Sequence, residues 1–109
     1  MKTIKYLVAG LLLASLSVPA MAQTSQADID AITKVIVDAK GDAVATKDQV
    51  KDFKKAHKKD AVALAALGRA FLEAKNYQMA EEIANLAIKA NAKSAEGYIL
   101  LGDIASAQD

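Results

Sequence analysis

The dipeptide Leu67-Gly68 returns as Leu101-Gly102 after 34 residues, both times inside a helical apolar pattern. A period of that size marks a repeat array, in which each unit buries its apolar face only against its neighbours. From Ala61, Leu64, Leu67, Phe71 and Leu72 follow the three-four spacing of a buried helix face. Asp60 stands where an N-cap belongs and suits the positive end of the helix dipole. Lys75-Asn76 breaks the pattern. A second helix then starts near Tyr77 with Ala80, Ile83, Ala84, Ala87 and Ile88 on one stripe, so the segment predicts two antiparallel helices joined by a short turn. Glycine inside a helix costs about 1 kcal/mol relative to alanine. At Gly68 the expected compensation is close approach to Ala80 of the second helix, with Leu67, Phe71 and Ile83 interlocking around the contact.

This pattern resembles the tetratricopeptide repeat. Leu64 takes the first aromatic position, Leu67-Gly68 the leucine-glycine pair, Phe71 the next aromatic, Tyr77 the start of the second helix, and Ala80 and Ala87 the two alanines. Leu64 replaces the usual tryptophan, Ala84 a larger aromatic and Ala92 the terminal proline; Ala105 stands where the second unit has an aromatic. The resemblance implies an all-α fold of stacked antiparallel helical hairpins, a tetratricopeptide-like solenoid with about five helices after a signal peptide. It also implies a scaffold that binds a protein or peptide partner.

Read in order, the chain divides into five segments. Residues 1–22 have Lys2 and Lys5, an apolar run from Tyr6 to Leu16 and then Pro19-Ala20-Met21-Ala22. That is the form of a secretory signal peptide, with cleavage expected after Ala22 and a periplasmic address. The apolar run falls short of the roughly 20 residues that span a bilayer, so no transmembrane anchor is expected after cleavage. Residues 23–26 are expected to be a mobile leader, 27–60 an N-terminal capping hairpin, 61–94 the full unit, and 95–109 the first helix of an incomplete second unit. In the capping hairpin, Ser25 is the expected cap of the first helix, Gly41-Asp42 its end, and Thr46 or Asp48 the start of the next. Tyr98, Leu101 and Ala105 are expected to form the packing stripe of the last helix, which has no second helix to meet. The sequence therefore predicts a fragment of a longer array or, failing that, self-association through the open face of helix 95–107.

Composition narrows the chemistry. With no cysteine, lipid modification of the N-terminus, disulfides and zinc-thiolate sites are excluded. Removing Lys2 and Lys5 from the 14 basic residues leaves twelve against 13 acidic ones, a formal charge of −1 that implies no global electrostatic partner. His57 is the only histidine and lies beside Lys58 and Lys59 in a lysine-rich helix. No second histidine, no nucleophile elbow and no calcium loop accompanies it; Asp28 and Asp30 face apart, as do Glu81 and Glu82. Hence no catalytic residue, cofactor or metal is expected, and the chain is read as not an enzyme.

Two surfaces remain. In stacked hairpins the first helices line the concave side, which selects Ala63, Ala66, Arg69, Ala70 and Glu73, then Ile99, Asp103 and Ser106. Arg69, Glu73, Ile99 and Asp103 are the partner-binding candidates. Arg69 can grip a carboxylate bidentately, or it can pair with Glu73 four residues on. The alternative surface is the lysine-rich helix 47–59, with Lys51, Lys54, Lys55 and Lys58 as a basic patch for an anionic glycolipid or an acidic partner. Its lysines are read as wrapping most of the helix, which favours an ordinary solvated face. No aromatic residue interleaves them for base stacking, so nucleic acid is not an expected partner.

Overall fold

The computed structural model describes residues 26–109. The signal peptide, its cleavage point, Ser25 and all of the leader except Gln26 lie outside the described residues. Among those described, the chain is all-helical: α1 (Gln26–Asp38), α2 (Lys47–Ala56), α3 (Ala61–Glu73), α4 (Tyr77–Ala90) and α5 (Glu96–Gln108). No helix among them is long and apolar enough to cross a membrane.

The middle hairpin has clean ends because its caps are built in. Asp60 Oδ1 accepts a hydrogen bond of 3.1 Å from the Ala63 amide, and Asn76 Oδ1 does the same for Met79. Between the helices, Lys75 adopts φ 67° while the Asn76 amide donates to the Phe71 carbonyl and the Lys75 amide to that of Leu72. These are the two bonds of a Schellman motif, which satisfies the last carbonyls of α3 and reverses the chain. Asp60→Ala is expected to cost about 1 kcal/mol, read as a fall of about 4–8 °C in Tm for a domain of this size. Thr46 stands at the N-cap position of α2, one of the two expected starts, but its side chain makes no capping bond. Thr46 is buried, and its hydroxyl donates back to the Asp42 carbonyl at 2.9 Å instead of capping the helix. The Asp42 carboxylate holds this corner by accepting from the amides of Val44 and Ala45.

The core is centred on α3, which packs on α1, α4 and α5; α4 also packs on α5. Leu67 and Phe71 are fully buried, and so are Ile36 of α1, Ile83 of α4 and Leu100 of α5. Each large side chain so buried contributes about 1.5–3 kcal/mol by leaving water. The first hairpin follows the same plan more closely than its sequence suggests. Its buried Ile32 and Ile36 precede Leu67 and Phe71 by the 35 residues that separate Gly41 from Asn76, whose Nδ2 donates to the Gly41 carbonyl at 2.7 Å. That bond joins the two hairpin turns. α2 departs from the plan: only Val50 and Phe53 are buried along it, and it packs chiefly on α1.

Two glycines set the distances between helices. A Cβ on Gly68 would stand 3.3 Å from the Ala80 carbonyl oxygen, as the repeat pattern predicts, and also 2.5 Å from Leu100 Cδ2. Gly68 therefore admits α5 as well as α4. Gly97, which the sequence reading passed over, does the same between α4 and α5: a Cβ there would meet Ile88 Cγ1 at 2.7 Å and the Ala84 carbonyl at 3.0 Å.

Candidate functional site

The packing face of α5 differs from the one expected. Gly97, Leu100 and Ile104 are buried against α3 and α4, whereas Tyr98 and Ala105 are exposed and Leu101 is half-buried. The physical reason is register. Tyr98, Leu101, Gly102 and Ala105 occupy the places that Leu64, Leu67, Gly68 and Phe71 hold in α3, and in α3 that face is covered by α4. Nothing among the described residues covers it in α5: Tyr98 is 52% exposed, and a Cβ on Gly102 would have no neighbour within 4 Å. The match between Gly68 and Gly102 is one of sequence position and not of packing.

The concave-side reading needs a second correction. Ala63 and Ala70 are buried in the core, not available to a ligand, and Ala66 is half-buried. Arg69, Glu73, Ile99 and Asp103 do reach the surface, but the first and last are occupied with each other. Arg69 Nη1 lies 2.8 Å from Asp103 Oδ2, across the 34 residues of one repeat, so the arginine pairs between helices and not with Glu73. Both side chains are more than a third exposed, which keeps the stabilising value of the pair within about 1 kcal/mol. Glu73 and Ile99 stay exposed on either side of it.

The lysines form a more definite feature than expected. Instead of wrapping α2 evenly, Lys51, Lys54 and Lys55, with Lys58 and Lys59 of the following turn, line one side of a groove of about 600 Å³. Opposite them stand Leu86, Lys89 and Ala90 of α4, with Leu64 of α3 also contributing. A smaller hollow of about 220 Å³ continues it past Lys51 and Lys54 to Lys47, Val50, Ala43 and Met79. The spacing of Lys51, Lys54 and Lys55 explains the alignment within α2, since residues three and four apart share a helix face, and Lys58 follows in the turn beyond its end. The ion pairs among the described residues are Lys34 with Asp38 and Arg69 with Asp103, and the Asp28 carboxylate also meets the His57 ring, so none of these contacts draws on a groove lysine. A volume of several hundred Å³ with an apolar lining and a charged rim falls within the range of ligand sites.

His57 has surroundings its sequence neighbours did not reveal. Its Nε2 lies 3.4 Å from Asp28 Oδ2 of α1, and its ring tilts against Phe53 with centroids 4.4 Å apart. The pair fastens the end of α2 to the start of α1. Asp30 faces elsewhere and accepts from Gln26 Nε2. Among the described residues no three histidine or carboxylate side chains converge as a metal site. No protein-family model matches the chain, and neither a curated protein nor a solved structure does.

Proposed function

We propose that the chain is a non-enzymatic protein-interaction module of tetratricopeptide type, exported to the periplasm by residues 1–22, that holds a peptide or helix against its stacked hairpins in an envelope assembly. The observation that carries this reading is the bare face of α5. A glycine in a helix interior costs about 1 kcal/mol, and at Gly102 no contact among the described residues offsets it. At Gly68 the same position lets neighbouring helices approach the backbone closely. A helix laid along Tyr98, Leu101, Gly102 and Ala105, whether from a partner or from chain continuing past Asp109, would recover the cost and bury the flanking apolar surface. Ile99, also about half exposed, would extend that contact toward the Arg69–Asp103 pair.

A photo-reactive phenylalanine analogue placed at Tyr98 tests the proposal in cells. The expected result is one discrete adduct in the periplasmic fraction, lost when Gly102→Leu blocks the approach and absent when the label replaces Val44, which is 83% exposed on another part of the chain. An adduct of twice the chain's mass would identify the partner helix as that of a second copy. No adduct at Tyr98, or recovery of the protein in the cytoplasm alone, would overturn the assignment.

A further inference from the structure

The groove between α2 and α4 has a shape and charge pattern that select one kind of occupant. On α4 it is lined by Leu86, Lys89 and Ala90, about one helical turn, and the adjoining hollow is lined by Met79 about two turns earlier. Lys47 and Met79 lie at one end, Lys59 and Ala90 at the other. Cationic side chains line it at every turn of α2, and Lys89 faces them from α4. Apolar groups also line it: Leu64 is 2% exposed and Leu86 37%.

Three ligand classes fit this pattern unequally. An anionic amphiphile with one head group would neutralise the lysines at one end and leave those along its tail uncompensated beside apolar chain. A membrane surface could meet the lysine ammonium groups but is too flat to enter between the helices to Leu86 and Ala90. An amphipathic helix can do both, because its apolar stripe enters the groove while carboxylates on its flanks rise one per turn toward both walls. We therefore infer that this groove binds an acidic amphipathic helix of a partner protein, with Leu86 and Ala90 meeting its apolar stripe and Lys51, Lys55, Lys58 and Lys89 its carboxylates. The inference rests on the reading of the chain as an interaction module but uses a surface separate from the open face of α5. Charge complementarity of this kind acts mainly on encounter rate and selectivity, while the apolar contact sets residence time.

The test is fluorescence anisotropy with a labelled synthetic peptide of about four helical turns, leucines on one stripe and glutamates flanking it, titrated with the purified protein. Saturable binding is expected, weakened about tenfold by Leu86→Glu and about 100-fold when Lys51, Lys55 and Lys89 are all changed to glutamate. Raising salt should weaken it further. Leu86 and the three lysines are solvent-facing, and circular dichroism checks that each variant keeps its helices. Lys55→Glu alone, expected to weaken binding severalfold, serves if the triple variant does not fold. Equal binding of a scrambled peptide of the same charge would overturn the inference, as would binding to phosphatidylglycerol vesicles with no binding to the peptide. Failure of the peptide while the Tyr98 adduct persists removes this inference alone; loss of both removes the interaction-module reading with it.

Discussion

Replacing Phe71 by alanine is expected to destabilise the fold by about 3–5 kcal/mol, the usual range when a buried aromatic is cut back to a methyl. Phe71 is fully buried, and it stands on the one helix that packs on α1, α4 and α5 together. The void would open at the junction of three helix pairs, and a wall drawn from several helices cannot collapse without moving all of them. At roughly 0.05–0.15 kcal/mol per residue, the 84 described residues hold about 4–13 kcal/mol in total. The substitution therefore removes much of the margin or all of it. Urea unfolding followed by circular dichroism at 222 nm checks this, with Phe71→Leu as the milder companion at about 1 kcal/mol. Tyr98→Ala supplies the contrast. It falls on the uncovered face of α5 and should change stability by no more than about 0.5 kcal/mol. If Tyr98→Ala instead cost as much as Phe71→Ala, the α5 face would have to be covered in the free protein, and the proposed docking surface would not exist.

Which parts of this arrangement can be read without coordinates follows from where the information sits. The limits of α3 and α4 are local facts, because Asp60 and Asn76 carry the side-chain acceptors that start those helices. The Arg69–Asp103 pair was within reach of the repeat alone, since its partners lie one period apart on successive first helices, where equivalent positions are neighbours in space. Gly97 was within reach in the same way: it shares its register with Ala63, and both are small and buried. Ala63 and Ala70 were misplaced because alanine has no polarity to declare a face, and both sides of α3 are covered once α1 and α5 are docked on it. The groove belongs to a different class. Lys51, Lys54, Lys55 and Lys58 share a face by spacing, but that Leu86 and Lys89 stand opposite is a tertiary fact. Neither local pattern nor period contains it. Asp28 beside His57 is missed for the same reason, being a contact between two helices that neither local pattern nor period specifies.

Valine placed at the two repeat-related glycines should give opposite results, although both substitutions exchange the same residues in a helix interior. On intrinsic propensity each should stabilise by a few tenths of a kcal/mol, because valine is a poor helix former but a better one than glycine. At Gly68 that gain is overwhelmed. Even the first added carbon would lie 2.5 Å from Leu100 Cδ2 and 3.3 Å from both the Ala80 carbonyl and Ile83 Cγ2. Leu100 and Ile83 are themselves fully buried, so any shift of their side chains has to be made within a packed core. Overpacking of this kind costs about 2–3 kcal/mol, and it should loosen α5 first, since α5 is held chiefly by α3 and α4. Gly102→Val meets no atom within 4 Å and should keep its propensity gain, with a urea midpoint at or slightly above that of the parent. The two midpoints should thus differ by an amount equivalent to about 3 kcal/mol. The same valine at Gly102 should nevertheless abolish the Tyr98 adduct, because the position that is open in the free chain is the one an incoming helix needs empty. A substitution that strengthens the fold and removes the adduct is the outcome expected of a glycine whose open side admits an incoming helix. Were Gly102→Val to destabilise the free chain as Gly68→Val does, the residue would already be enclosed within its own fold.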